Sequence, residues 1–279
     1  MRLLFLLPFS VFLAFLMNQE IEAQTLATPL NPEEYPYESE LGIIIGLGGN
    51  IQSGIFSSSC DCDFEDGSKL GYTLGAFYEF EFIESLEIGL AGLYDYRGVE
   101  SEYIEFENVR VTSQGSGNEE DVRIKFTNIG EADVSYFSLV PYLKWMPFRI
   151  MFLKTGLNLG FPISSNIKHT KVLETKTARL SSGEIVSVEL PEGDGDTQVI
   201  QDEEMPGLNS LYLSIDPSIG FNFRFSEDFA FSPYFQYSIP ISNVSSIGSD
   251  FKVSTWRIMF EFKYTLTDYT YYKSKKEEL

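Results

Sequence analysis

Along much of this chain, large apolar residues alternate with small or polar ones at a period of two, and turn residues interrupt the alternation at intervals. A period of two predicts strands with two chemically different faces. Eight segments carry it: Leu41–Ile51, Leu70–Phe82, Leu86–Arg97, Tyr136–Met146, Phe152–Phe161, Leu211–Phe225, Phe229–Ile239 and Thr255–Leu266. Each reaches the ~9–11 residues that a tilted strand needs to cross a bilayer. The connections sort by length. Ile83–Ser85, Pro147–Ile150 and Ser226–Asp228 are tight, whereas Gln52–Lys69, Gly98–Ser135, Pro162–Ser210 and Pro240–Ser254 are long. Short turns at one end and long loops at the other characterise barrels of the bacterial outer membrane. The expected fold is therefore all-β, an eight-stranded antiparallel up-and-down transmembrane barrel, with helices nearly absent.

One face of each strand is strongly apolar. The second segment shows Tyr72, Leu74, Ala76, Tyr78, Phe80 and Phe82; the eighth shows Trp256, Ile258, Phe260, Phe262 and Tyr264. The opposite faces carry glycine, serine and charge. A soluble lipocalin-like binder would turn the apolar face inward and is the structural rival. Volume argues against it. The apolar face holds on the order of forty large side chains, and an eight-stranded interior barely holds its own packing. The polar face, dotted with Gly46, Gly48, Gly71, Gly75, Gly89, Gly156, Gly160 and Gly220, suits a crowded lumen instead.

That orientation puts Glu79, Glu81, Glu87, Asp95, Asp216 and Glu261 in the lumen with Arg97, Lys144, Lys154, Arg224, Arg257 and Lys263. A narrow lumen cannot hold isolated ions, because desolvation costs several kcal/mol each unless they are paired. The expectation is a charge-paired plug near the short turns, with Glu87 meeting Lys144 across neighbouring strands. A proton or ion path, or a small channel, is the alternative use of such charges.

The ends and the composition add bounds. Arg2 followed by the apolar run Leu3–Met17 and the small-residue site at Ala23 predicts a secretory signal over residues 1–23. An acidic linker is expected over residues 24–40, the barrel over residues 41–266 and a polar tail over residues 267–279. The formal charge of the 279-residue chain is −21. Such acidity excludes nucleic acid, whose phosphates need lysine and arginine, and the expected surroundings are outer-membrane lipid and acidic outer loops in solvent.

Few local motifs suggest chemistry. The stretch "CDCDFEDG" (Cys60–Gly67) offers Asp61, Asp63, Glu65 and Asp66, but it lacks the closing glutamate of a calcium loop. Cys60 and Cys62 can form a disulfide; a zinc site would need two more ligands. His169 is the sole histidine, expected as a solvated residue of the third loop. Its enzymatic reading, an outer-leaflet lipid-modifying enzyme, has no elbow or paired motif behind it. The glycine-rich "GLGGNIQSG" has no following helix and fits a first strand. No catalytic residue, cofactor or metal is expected, and the protein reads as a non-enzyme.

The runs "SLVPYLKW", with Pro141 and Lys144, and "KTGLNLG", with "GYTLGAFYEFEF" and "LYDYRG", resemble the PorT-like outer membrane β-barrel family of Bacteroidota and related bacteria. The resemblance spans about Leu41 to Leu266. It implies an OmpA/OmpX-like barrel in the outer membrane of a Gram-negative-type bacterium. Within that family, a protein of a secretion system stands beside many without known roles. The expected role is structural or surface-binding, by a monomer with a surface ligand or a periplasmic partner; a secretion-machinery component is the alternative.

Overall fold

The computed structural model describes residues 38–58, 62–83, 85–113, 117, 119–148, 150–190 and 195–267. The expected signal, the linker up to Tyr37, Cys60 and the tail from Asp268 lie outside them. Among the described residues the protein is all-β. Eight long strands form the wall: β1 (Glu38–Ser57), β2 (Ser68–Ile83), β3 (Leu86–Thr112), β4 (Glu119–Trp145), β5 (Met151–Leu173), β6 (Tyr212–Phe221), β7 (Phe229–Pro240) and β8 (Ser249–Thr267). Each pairs antiparallel with its neighbours in chain order, and β1 pairs with β8 from Glu38↔Thr267 to Ile55↔Ser249, which closes the ring. Closure leaves no free edge within the barrel, which is what a strand-built wall needs in lipid.

The pleat assigns side chains to two sides. Outside lie Ile43, Leu47, Leu74, Leu90, Leu139, Ile219, Phe235 and Ile258, all substantially exposed although apolar. Inside lie the charged and small residues, and the apolar belt of Ile44, Phe77, Leu93, Val140, Phe152, Tyr234 and Met259 that packs between them. Gly89 is required here: a Cβ on it would stand 2.2 Å from Cζ of Tyr142. No helix among the described residues is long and apolar enough to cross a membrane; the crossing is made by strands. The exterior apolar surface far exceeds what a soluble monomer displays. The protein is an integral β-barrel of the outer membrane, with lipid against these side chains.

Beyond the barrel the structure corrects the expected loops. Gly98–Ser135 is largely strand, since β3 and β4 run on as a hairpin paired from Gly98↔Asp133 to Thr112↔Glu119. β5 likewise continues to Leu173, and Thr197–Glu203 pairs with it. β1 extends to Ser57, where Asp63–Phe64 pairs beside it, and β8 starts at Ser249. Phe223–Arg224 continues the line of β6, and Thr177–Arg179 with Ile185–Ser187 makes a small separate hairpin.

The physical reason is a change of polarity along an unbroken pleat. On β4 the inward residues are Lys144, Tyr142, Val140 and Ser138 in the barrel, then Val134, Ala132, Phe126 and Ile124 above it. The outward residues change from Trp145, Leu143, Leu139 and Phe137 to Asp133, Glu131, Thr127 and Lys125. Below Ser135 the wall faces lipid; above it the wall faces water and buries its apolar side inward. Phe56, Phe64, Val99, Ile167, Tyr212 and Phe251 form the core of that upper part. A second apolar cluster, Ile124, Phe126, Leu173, Leu180 and Val186, lies at the tip of the hairpin.

Candidate functional site

The charged lumen is built by register. Glu40 on β1 stands opposite Glu79 on β2, Glu87 on β3 opposite Lys144 on β4, and Lys144 opposite Lys154 on β5. Two lysines side by side repel. Each is therefore turned to a different carboxylate. Lys144 Nζ lies 2.5 Å from Glu87 Oε2 and 3.0 Å from Glu79 Oε1. Lys154 reaches across the lumen to Glu261 Oε1 on β8 at 2.6 Å and stacks on the Tyr142 ring, 3.9 Å from its centroid. Lys263 completes the cluster with ion pairs to Glu79, to Glu40 (3.1 Å) and to Glu261 (3.7 Å). The Tyr142 hydroxyl donates to Glu79 Oε2 at 2.8 Å. Glu40, Glu79 and Glu87 bring ligand atoms within 4.8 Å of one another. The ammonium groups of Lys144 and Lys263 already neutralise these carboxylates, so the arrangement is an ion-pair cluster.

A second charged group lies nearer the long-loop end. Asp95 accepts from Arg97 Nε at 2.5 Å and from Thr73 Oγ1 at 2.9 Å, and Arg257 stands 3.6 Å away. Arg97 also donates to the Tyr212 hydroxyl and lies over that ring. Arg257 donates to Asn50 Oδ1 at 2.7 Å. Asp216 accepts from Ser214 at 2.8 Å and Asn158 at 3.2 Å.

The expected lumen residues thus fall at two levels, with the apolar belt between them, rather than gathering at the short turns. Two depart further from the expectation. Glu81 is only half-buried at the rim, and Arg224 is exposed there, donating to Glu40 Oε1 at 3.1 Å. Glu40, assigned to the linker by its acidic neighbours, is buried in the lumen. Its position two residues before Gly42 continues the inward phase of β1, a signal that was available. His169 is not a solvated loop residue: it sits on β5 with its side chain buried. Cys62 is disulfide-bonded.

Above the membrane, the β3–β4 hairpin, the end of β5 and Thr197–Glu203 form a projecting sheet. β2 accompanies β3 only to Tyr96. From Glu102 to Thr112 the edge of β3 has no strand beside it among the described residues. Residues 98–135 carry nine acids against three bases, net −6, with Glu100, Glu102, Ile104 and Phe106 exposed. At the base of this sheet, Lys69 bridges to Glu131 (2.9 Å) and Asp133 (3.0 Å), and these partners raise its pKa against the opposing effect of burial.

Fold and lumen together define a small outer-membrane barrel whose interior is filled. No protein-family model matches the chain, and no curated protein matches it. Among solved structures it is similar to Ail, the attachment invasion locus protein of Yersinia pestis, at 14% identity over 82% of this chain and 99% of that one, TM-score 0.33. It is similar to the outer membrane protein OprG of Pseudomonas aeruginosa at 11% identity over 83% and 96%, TM-score 0.32. The outer membrane protease OmpT of Escherichia coli is a further likeness, at 7% identity over 84% and 99%, TM-score 0.29.

Proposed function

We propose that this is a PorT-like barrel with a surface-binding role, in which the filled membrane part is a rigid base and the acidic projecting sheet is the working surface. The observation that carries this reading is the edge of β3 from Glu102 to Thr112, which offers backbone donors and acceptors above the membrane beside a net charge of −6 over residues 98–135. An edge of this kind accepts an added strand, with backbone hydrogen bonds supplying affinity and alternate side chains supplying specificity. Its acidity favours an extended basic segment of a partner protein and repels a second copy of itself, in keeping with a monomer. The two ion-pair levels and the apolar belt speak against a conducting pore.

The test is retention of a synthetic peptide alternating lysine and threonine by the protein in detergent. Binding should weaken as salt rises. Neutralising Glu100, Glu102, Glu119 and Asp121 together should weaken it about tenfold, the scale of a few rim charges at a few tenths of a kcal/mol each. Equal retention by the neutralised variant would remove the sheet from this role. Retention only by protein whose short turns are accessible would favour a periplasmic partner and the secretion alternative.

A further inference from the structure

His169 sits in a directed chain of hydrogen bonds. Asn128 on β4 donates its amide nitrogen to Glu105 Oε2 on β3 at 3.0 Å. A carboxylate only accepts, so this contact fixes the Asn128 amide with its oxygen toward His169, 3.0 Å from Nε2. Nε2 must then carry the proton, which leaves Nδ1 as an acceptor. The Ser58 hydroxyl faces Nδ1 at 3.1 Å. In that tautomer the Ser58 hydroxyl is placed to donate to Nδ1, and Nε2 donates to Asn128. The Phe64 ring meets the imidazole edge-on at 5.1 Å and holds its plane. A hydroxyl directed at a base, with the base oriented by a third group, is the arrangement that activates a serine nucleophile.

We propose that Ser58 and His169 are the nucleophile and general base of an acyl-transfer site in the outer part of the barrel, with Asn128 as a positioning residue and small apolar carboxylic esters as the substrate class. Ser58 Oγ bonds to the ester carbonyl carbon while its proton passes to His169 Nδ1. The ester C–O bond breaks, and the leaving alcohol takes that proton. Water then attacks the acyl-serine, gives a proton to Nδ1 and releases the acid, and Ser58 recovers its proton. Ser58 is 6% exposed against 1% for His169 and Asn128, so bulky acyl groups are excluded. Phe56, Phe64 and Phe251 make the surroundings apolar.

The groups around the ring are consistent with a neutral base. Lys171 shares its strand, Glu105 and Glu107 on β3 bond to its neighbours Asn128 and Lys171, Gln201 pairs opposite it from Thr197–Glu203, and Asp63 lies beside Tyr103. Burial, with Lys171 adding to it, lowers the His169 pKa below its ordinary value. The Ser58 amide is tied to the Cys62 carbonyl at 3.0 Å and is no oxyanion donor, so turnover is expected to be slow.

The experiment therefore reads covalent capture. Purified protein, shown to be folded by its heat-modifiable gel mobility, is treated with diisopropyl fluorophosphate and mapped by mass spectrometry. The expected result is a single adduct on Ser58, absent in Ser58→Ala and formed about 100-fold more slowly in His169→Gln, the size of a general-base contribution. The labelling rate should rise with pH and level off below ~6.5, the ordinary histidine value. Asn128→Asp places a carboxylate against Nε2 and should move that midpoint upward, a shift expected only if His169 is the base that titrates. Folded protein that takes no label on Ser58, or His169→Gln labelled at the wild-type rate, overturns the proposal.

Discussion

Replacing Lys263 by methionine is expected to lower the unfolding free energy in detergent by about 3–5 kcal/mol, the cost of leaving buried charge uncompensated. Lys263 is the shared partner of Glu40, Glu79 and Glu261, and its side chain is wholly buried. Methionine nearly preserves the volume, so the effect is one of charge and not of a cavity. Lys144→Ala removes the partner of Glu79 and Glu87 and should act in the same direction. Adding Glu79→Gln to Lys263→Met should recover part of the loss, because the charge balance is restored. Chemical denaturation followed by gel mobility measures all of them, and an unchanged midpoint for Lys263→Met would show that the cluster does not hold the barrel closed.

Leu90→Arg should cost about 2–4 kcal/mol, the penalty for a cationic side chain near the bilayer midplane of such a barrel. Leu90 points outward from β3, 51% exposed, opposite Pro141 of β4. Ile104 lies on the same face of the same strand, 56% exposed, but above the level where that face turns polar. Ile104→Arg should stay within ~0.5 kcal/mol, as surface substitutions do. The comparison isolates depth, since strand, face and chemistry are held constant. Equal effects in lipid vesicles would mean that the two positions share one environment.

The barrel was legible because lipid and a narrow lumen impose opposite chemistry on alternate residues. Tyr72 to Phe82 and Trp256 to Tyr264 announce their outward phase, and the tight turns fix which strands are neighbours. The meeting of Glu87 with Lys144 follows from the turn between β2 and β3 and the adjacency of β3 and β4. Side chains that cross the lumen leave no such trace. Lys154 finds Glu261 from a strand three places away around the ring, and only the closed geometry brings them together.

The upper sheet was obscured for another reason. Val122, Ile124 and Phe126 alternate with charge as well as any membrane strand, yet Asp121, Arg123 and Lys125 between them look like a solvated loop until one knows that the outward side there is water. His169 was hidden in the same way, because its partners Ser58 and Asn128 lie 111 and 41 residues away.

The reversal of polarity at Ser135 also acts as a depth gauge. Sinking the barrel by one residue pair would bring Asp133 to the edge of the hydrocarbon, with Glu131 next, and raising it would lift Phe137 toward water, with Leu139 next. Each displacement meets a restoring force from the wall's own residues, so the height at which the acidic sheet stands above the membrane is written into the strands and requires no anchoring partner.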